Sequence, residues 1–188
     1  MSWYCDVAPG HPFHGPYHDK EYGFPLKDET ALFERQSLEI FQAGLSWLLV
    51  LKKRPAMVAA FDGFEVDRVA AFKAREINRL LKDEGIIRNR LKVESIIENA
   101  KRVRDLRDSH GGFAKWIAAQ HPLPKSEWVK VFRKTFKFMG GEIVGEFLMS
   151  IGYLPDAHHE SCPVFGKIAK KNPPWMRVDA RVYRESDK

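Results

Sequence analysis

The apolar residues from Asp28 onward recur at the three- and four-residue spacing of an α-helix, and this periodicity constrains the fold most strongly. Phe33, Leu38 and Phe41 form such a face behind Asp28, whose side chain is typical of an N-cap, and Gly44 marks the end of the pattern. No convincing alternation of apolar and polar residues, which would indicate a strand, is found. The sequence therefore predicts an all-α fold.

The same spacing predicts seven further helices. One begins at the N-cap Ser46, and Pro55 suits the first turn of the next. Residues 1–27 are rich in Pro, Gly, His and Tyr and predict an irregular but ordered arm, whereas residues 167–188 are predicted to be loose and solvated. The ranges predicted after Ser46 are 55–61, 65–72, 75–83, about 89–106, 125–136 and 142–151, with Gly152 ending the last.

Length and composition limit the class of protein. With 188 residues, of which 44% are hydrophobic, the chain can bury a core as one domain or two closely packed lobes. Residues 1–10 carry no basic stretch followed by an apolar run, and the longest apolar stretch, at residues 45–51, is too short to span a bilayer. We expect a cytoplasmic protein without a membrane partner.

The chain carries a formal net charge of +6. This balance suits a polyanionic partner, although many basic proteins bind no nucleic acid. The net charge is therefore compatible with DNA binding, but by itself it does not identify a DNA-binding protein.

Residues 75–100 have the outline of a helix-hairpin-helix, in which a short helix meets a turn at Glu84-Gly85-Ile86-Ile87-Arg88 before a second helix begins. Such a hairpin points backbone N–H groups at a phosphate near the positive end of the second helix dipole. Gly85, Arg88, Arg90 and Lys92 are the predicted DNA-binding residues. The alternative is an ordinary helical corner with a solvated basic face.

The two cysteines lie near opposite ends of the chain, each with histidines nearby. Cys5 precedes His18 by thirteen positions, and His158 precedes Cys162 by four. In a reducing compartment these thiols are either inert or metal ligands, and two Cys with two His are enough for a closed tetrahedral zinc site. His11, His14 and His159 are competing candidates, so the spacing leaves the ligand set open.

Glu39 lies between Leu38 and Ile40 in an otherwise apolar segment. A carboxylate in such a segment usually reaches the surface or caps a backbone group, but a buried one requires a partner, and a base flipped out of DNA could supply it. Trp47 could stack on that base, or belong simply to the core.

Taken in order, several of these segments resemble the DNA-3-methyladenine glycosylase I family of helix-hairpin-helix glycosylases. The matching stretches cover nearly all of residues 5–162. They are Tyr17-His18-Asp19 with Glu21 and Gly23, Gln42-Ala43-Gly44-Leu45-Ser46-Trp47, Val50-Leu51-Lys52-Lys53-Arg54, Gly85-Ile86-Ile87-Arg88, Phe136-Lys137-Phe138 with Gly140, and His158 with Cys162.

The resemblance implies one helical glycosylase domain over residues 1–188, with the hairpin at about 75–106 and zinc-binding ends at 1–27 and 153–166. It implies a structural zinc ion held by Cys5, His18, His158 and Cys162. It further implies that the protein is a monomer and hydrolyses the glycosidic bond of 3-methyladenine in double-stranded DNA. No lysine stands where a Schiff base would form, so a monofunctional enzyme is expected.

For the active site, the resemblance implies that Glu39 hydrogen-bonds the excised base, that Trp47 stacks on it, and that Tyr17 and Gln42 line the pocket. The chain departs from the family at Val7, where Trp is frequent, and at His14, where the family has a pocket Tyr. These changes leave three alternatives open, namely a glycosylase for another alkylated base, a non-catalytic DNA-binding module, and a zinc-stabilised protein-interaction domain.

Overall fold

The computed structural model describes residues 4–184, and within this range every regular element is helical. The predicted all-α fold is therefore confirmed. The first six helices are α1 (Tyr4–Val7), α2 (His14–Lys20), α3 (Glu29–Gln42), α4 (Trp47–Ala60), α5 (Val66–Ala70) and α6 (Ala74–Lys82). The others are α7 (Arg90–His110), α8 (Phe113–Gln120), α9 (Lys125–Thr135), α10 (Gly141–Ser150) and α11 (Phe165–Ala169). Short 3₁₀ turns occur at Asp62–Phe64, Pro174–Arg177 and Ala180–Tyr183.

Helix α3 lies at the centre and packs against α4, α5, α7, α8 and α10. Its residues from Leu32 to Phe41 are buried apart from one half-buried position, Glu34. Burying Leu32, Phe33, Leu38 and Ile40 completely stabilises the fold by roughly 1.5–3 kcal/mol for each side chain. Because α3 touches so many neighbours, a polar side chain on it is surrounded by protein.

Both predicted N-caps, Asp28 at the start of α3 and Ser46 at the start of α4, are confirmed. Asp28 accepts a hydrogen bond from the Ala31 amide at 2.9 Å, and Ser46 accepts one from the Leu49 amide at 3.3 Å. Between the helices, Gly44 adopts a φ of +77°, a conformation that costs a residue with a Cβ atom more than glycine. The Ser46 cap and Gly44 together fix the direction in which α4 leaves the tight turn.

Pro55 was predicted to begin a separate helix. In the structure it lies inside α4. Proline removes one backbone donor from a helix interior. The helix continues here because Val50, Leu51, Met57 and Ala60 bury one common face on both sides of the proline. Tertiary packing therefore outweighs the local helix-stop signal.

Two other predictions were wrong in part. The arm predicted to be irregular contains α1 and α2, and the tail predicted to be loose contains the end of α11 and two 3₁₀ turns. In that tail, Ile168 is buried beside Cys5 and Cys162, and the Tyr183 hydroxyl lies 2.7 Å from His121 Nε2. Contacts with distant residues hold both segments, which local spacing does not reveal. Residues 185–188 of the predicted tail lie outside the described residues.

The turn after α9 is fastened to α7 through a buried amide. Asn99, fully buried on α7, accepts a hydrogen bond from the Lys137 amide at 2.7 Å and donates one to the Lys137 carbonyl at 3.0 Å. Arg102 donates to the Thr135 carbonyl at 2.8 Å. These bonds place the Phe136–Gly140 segment next to the start of α10, which forms one side of the site described below.

No helix within residues 4–184 has the length and apolar character needed to cross a membrane.

Candidate active site

A cavity of about 320 Å³ lies where α2, α3, α4 and α10 meet, a size within the usual range of small-ligand sites. It contains all four residues that the sequence predicted for catalysis and base binding, namely Tyr17, Glu39, Gln42 and Trp47. The structure thus brings together residues up to thirty positions apart. The remaining lining residues are Tyr4, Tyr22, Glu146, Met149, Asp156 and Ala157.

Glu39 enters the cavity from α3 and is only 3% exposed. Within the described part of the chain, no group donates a hydrogen bond to its carboxylate. The pKa of Glu39 is raised to about 8, mainly by burial and also by the nearby Glu146 carboxylate, while the Arg35 guanidinium opposes the rise. A buried carboxyl group without a protein partner is suited to accept a hydrogen bond from a ligand.

Arg35 holds Tyr17 in place on the wall of the cavity. Its Nη1 donates to the Tyr17 hydroxyl at 3.1 Å, its guanidinium carbon lies 4.7 Å from the Tyr17 ring centroid, and its Nη2 donates to Glu21 at 2.8 Å. Burial raises the pKa of Tyr17, so the phenol stays neutral. The ring therefore presents a fixed, uncharged surface to the cavity.

Trp47 and Gln42 come from opposite ends of the α3–α4 connection, and both are half-buried. The Trp47 and Tyr17 ring centroids lie 5.0 Å apart with an interplanar angle of 62°, an edge-to-face contact that fixes the indole without covering it face to face. Trp47 is therefore neither plain core nor free at the surface.

The two departures from the family pattern lie beside the cavity lining rather than at its floor. The His14 Nδ1 lies 3.0 Å from the hydroxyl of Tyr4, which lines the cavity. Val7 does not line the cavity, and its side chain is 52% exposed. The substitutions therefore change how Tyr4 is held and leave Glu39 and Trp47 untouched.

A second cluster joins the two ends of the described chain. Cys5, His18, His158 and Cys162 are buried, and their ligand atoms all lie within 4.8 Å of one another. The His158 Nδ1 is 3.4 Å from Cys5 Sγ and 3.5 Å from Cys162 Sγ, and the His18 Nε2 is 3.7 Å from Cys162 Sγ. In a tetrahedral zinc site with ordinary bond lengths, sulfur and nitrogen ligands lie roughly 3.6 Å apart. The residues present therefore fit a zinc ion.

The outer nitrogen of each histidine is also engaged, which fixes the tautomer. The His158 Nε2 donates to the Tyr22 carbonyl at 2.8 Å, and the His18 Nδ1 donates to Asp19 at 2.7 Å. The lone pairs of His158 Nδ1 and His18 Nε2 therefore point into the cluster, as metal-ligating histidines require. His159 instead contacts Ser161 and Asp6, so the structure resolves the choice between adjacent histidines in favour of His158.

The predicted hairpin consists of α6, the turn at residues 83–89 and α7. A Cβ atom on Gly85 would lie 3.0 Å from the Ala56 Cβ, so glycine permits the turn to pack against α4. The Gly85 amide donates to Asp83 at 2.8 Å, and Lys53 Nζ donates to the Glu84 and Gly85 carbonyls. Gly85 shapes the turn, and its backbone amide is already hydrogen-bonded to the Asp83 carboxylate.

The three predicted basic residues of the hairpin differ in position. Arg88 and Arg90 are exposed and form only surface ion pairs with Glu84 and Glu94. Lys92 is 4% exposed, and its Nζ donates to the Phe41 and Ala43 carbonyls at 2.8 and 2.5 Å. The prediction that Lys92 contacts phosphate is wrong, because its ammonium group caps the C-terminal end of α3.

The whole arrangement agrees with the comparisons with known proteins. The family model described as methyladenine glycosylase matches residues 7–131. The chain belongs to the methyladenine glycosylase family.

Individual members of the family match over most of their length. The chain is 36% identical to a DNA-3-methyladenine glycosylase of Haemophilus influenzae over 166 residues, which cover 78% of this chain and 89% of the relative. It is 34% identical to DNA-3-methyladenine glycosylase 1 of Escherichia coli over 171 residues, covering 81% and 91%. A crystal structure of a 3-methyladenine DNA glycosylase I variant in complex with 3-methyladenine superposes with a TM-score of 0.78 at 32% identity, covering 86% of this chain and 96% of the other.

In this methyladenine glycosylase, three residues that line the cavity were not predicted as site residues from the sequence. They are Glu146, Tyr22 and Tyr4. Glu146 carried the same signal that identified Glu39. It is a lone carboxylate within an apolar helical segment, between buried Val144 and Phe147. The signal for Tyr4 and Tyr22 was weaker, because both lie in the arm that was predicted to be irregular.

The raised pKa of Glu39 makes the stability of the protein depend on pH. Because its pKa is about 8 in the folded state and 4.5 in the unfolded state, folding favours the protonated form, and this contribution is full below pH 4.5 and is lost as pH rises through 8. We expect Glu39→Gln to raise the free energy of unfolding by several kcal/mol more at pH 9 than at pH 5, since one pKa unit corresponds to about 1.4 kcal/mol. Urea unfolding at both pH values measures this difference, and an equal effect of the substitution at both would contradict it.

Proposed function

We propose that this protein removes 3-methyladenine from alkylated double-stranded DNA by hydrolysing its N-glycosidic bond, leaving an abasic site. The observation that carries the proposal is Glu39, a buried carboxyl group to which no group in residues 4–184 donates a hydrogen bond, and which faces a base-sized cavity also lined by Tyr17 and Trp47. Membership of the methyladenine glycosylase family supports it, as does the 3-methyladenine complex of a similar glycosylase. We propose that residues 1–188 form one glycosylase domain.

The chemistry requires little from an acid catalyst. Alkylation at N3 leaves the adenine ring cationic, so the glycosidic bond is weak and the base leaves as a neutral molecule. The protein must extrude the nucleotide, hold the cationic ring and exclude normal bases, and extrusion costs a few kcal/mol, less for a damaged base. In this scheme Trp47 stacks on the ring while Tyr17 and Gln42 confine it. No lysine lines the cavity within residues 4–184, which favours a monofunctional reaction.

Glu39 supplies selectivity by charge. A cationic base beside a buried carboxyl group favours the ionised form and lowers its pKa, so binding of the damaged base releases a proton and creates an ion pair in a poorly solvated site. Normal adenine is neutral and gains no such interaction. Discrimination then arises from differential binding of the charged base rather than from proton transfer to it.

A second candidate, a glycosylase for another alkylated base, is favoured by one observation. His14 occupies a family Tyr position and contacts Tyr4, which lines the cavity, so the group that holds this part of the lining has changed. A change at this position alters which substituents the cavity accepts and leaves the reaction the same.

We infer that the turn between α6 and α7 holds the DNA backbone. Arg88 and Arg90 are exposed there, and Asn89 caps α7 by accepting a hydrogen bond from the Lys92 amide at 3.1 Å. An exposed helix N-terminus flanked by two arginines suits a phosphate. Gly85 belongs to this element as the residue that lets the turn pack closely.

We also infer that Cys5, His18, His158 and Cys162 hold one zinc ion with a structural role, because four protein ligands leave no open position for water. The buried thiols and the outward hydrogen bonds of both histidines support this inference. A reducing cytoplasm would keep both thiols available to the metal, and we propose that the protein acts there as a monomer.

The first test is release of base from methylated duplex DNA under single-turnover conditions, with the freed base identified by chromatography. We expect the wild-type protein to release 3-methyladenine above the spontaneous rate. Glu39→Gln should lower the rate by about 100-fold or more while DNA binding persists, because it removes the charge that favours the cationic base.

Glu65→Gln is a suitable control, since Glu65 is an exposed residue paired with Arg68. Unchanged release by Glu39→Gln would contradict the role of this residue. DNA binding without release of any base by the folded wild-type protein would favour a non-catalytic module.

The hairpin gives a second prediction. Arg88→Met and Arg90→Met should each lower the slope of log affinity against log salt by about one unit, because each removes one phosphate contact. Lys92→Met should leave the slope unchanged and instead reduce stability, since two α3 carbonyls lose their donor. Fluorescence anisotropy of labelled duplex DNA across a salt series measures the slope, and a normal slope in both arginine variants would exclude this surface.

The chain-end cluster gives a third prediction. Elemental analysis should find about one zinc per chain, and Cys162→Ala should lose the metal together with several kcal/mol of stability. His159→Ala is the matched control, because the neighbouring histidine is not among the four clustered ligands and its loss should leave the metal content unchanged. Wild-type protein that lacks metal yet resists thermal unfolding as strongly as protein supplied with zinc would overturn the inference.

A further inference from the structure

The base cavity is lined by acidic side chains although the protein as a whole is basic. Although the chain carries a net charge of +6, no Lys or Arg lines the cavity within the described residues, whereas Glu39, Glu146 and Asp156 all do. Asp156 is exposed at the rim, so water screens its charge, but Glu39 is buried and Glu146 is half-buried. A basic protein that binds an anionic polymer thus presents two weakly hydrated carboxyl groups to the ligand.

Glu146 is held in a defined position. It lies on α10, which packs against α3, and it lines both the base cavity and the adjoining groove toward the α3–α4 turn. The Tyr22 hydroxyl donates to its Oε2 at 3.1 Å, and the Tyr22 carbonyl in turn accepts a hydrogen bond from His158. Within residues 4–184, Glu146 Oε1 has no hydrogen-bond partner, and the contact with Tyr22 ties the carboxylate to the chain-end cluster.

The charges around these two carboxyl groups do not balance. Arg35 is the cation that acts on Glu39, but it already donates to Glu21 and to the Tyr17 hydroxyl. Glu146 faces Tyr22 and Glu39, with Glu142 on its own helix and Lys125 on α9, and Lys125 pairs with Glu142 at 3.4 Å. Burial raises the pKa of Glu146 as it does that of Glu39, so negative charge is costly here until a cation arrives.

We propose that Glu146 is a second specificity-determining residue of the base cavity, facing the bound base together with Glu39 and selecting cationic alkylated purines over neutral ones. The inference rests on the proposed function and deepens it, since it names the positive charge of the base as the property that the cavity recognises. A cationic ring offsets the repulsion between the two carboxylates, and a neutral ring leaves that repulsion in place. A cavity with two carboxylates therefore discriminates more strongly than a cavity with one.

Calorimetric titration with two small bases tests the role of Glu146. The first is 3,9-dimethyladeninium, a permanent cation whose 9-methyl group replaces the sugar, and the second is neutral 9-methyladenine. We expect Glu146→Gln to weaken binding of the cation by about tenfold, because one of two nearby charges is lost. Binding of the neutral base should change by less than about twofold, because it is not charged.

Two variants separate charge from structure. Glu146→Asp keeps the charge and should retain most of the preference for the cation, which a role in packing alone would not restore. Glu127→Gln removes a half-buried carboxylate from α9, outside the cavity, and should leave both affinities unchanged. Equal weakening of both ligands in Glu146→Gln, or unchanged affinity for the cation, would overturn the proposal.

Base release from methylated DNA, measured on the same preparations, separates this proposal from the proposed function. If the wild-type protein releases 3-methyladenine and Glu146→Gln binds the cation normally, only the role of Glu146 fails. If the wild-type protein releases no base yet binds the cation selectively through Glu146, the proposed function fails and the charge selection stands.

Discussion

The meeting of the two chain ends at Cys5, His18, His158 and Cys162 is the constraint on which one wall of the cavity depends. His18 follows Tyr17 directly on α2, so the cluster and the cavity share one short helix. His158 holds the Tyr22 carbonyl, and the Tyr22 hydroxyl holds Glu146. Four residues outside the cavity lining therefore position three side chains that line the cavity, namely Tyr17, Tyr22 and Glu146.

An ion-pair network secures the residue that directly follows the same helix. Glu21, just after α2, accepts from Arg35 on α3 and from Arg54 on α4, each at 2.8 Å, and Arg54 also donates to Glu34 at 2.7 Å. Exposed pairs of this kind contribute little, but here the Arg35 side chain is 6% exposed, so breaking one pair would strand a buried charge. The arm at the start of the chain is thus fixed at two points, which a sequence rich in Pro and Gly did not suggest.

Local signals predicted the parts of the fold that depend on neighbouring residues. Asp28 and Ser46 begin helices where their capping chemistry requires, and Gly152 follows the end of α10 with a φ of +76°. Helix α8 was missed because it follows Gly111 and Gly112 directly, and two glycines indicate a loop rather than the start of a helix. A side-chain cap or a terminating glycine therefore marks a helix boundary locally, whereas the glycine that precedes α8 gives no such signal.

Long-range contacts explain why individual site residues were harder to predict. Lys92 lies among exposed basic residues in the sequence, yet its ammonium group reaches carbonyls 49 and 51 positions earlier, which no local pattern encodes. Glu39 was identified because a carboxylate in an apolar helix is conspicuous whatever its partners. Glu146 meets the same criterion in α10, but it lies outside the sequence motifs that carry the family resemblance.

The structure shows where changes of base preference can occur without loss of the reaction. Glu39 and Tyr17 are buried, and the Tyr17 hydroxyl accepts a hydrogen bond from Arg35, so substitutions there act on the reaction itself or on the packing around it. Tyr4 is held by His14 from α2, and Asp156 is exposed at the rim, so substitutions there alter the entrance at small structural cost. Glu146 lies between these extremes, because it is half-buried but fastened by a single tyrosine hydroxyl. The charge of the accepted base can therefore change at one side chain while the fold, the stacking surface and the chain-end cluster stay the same.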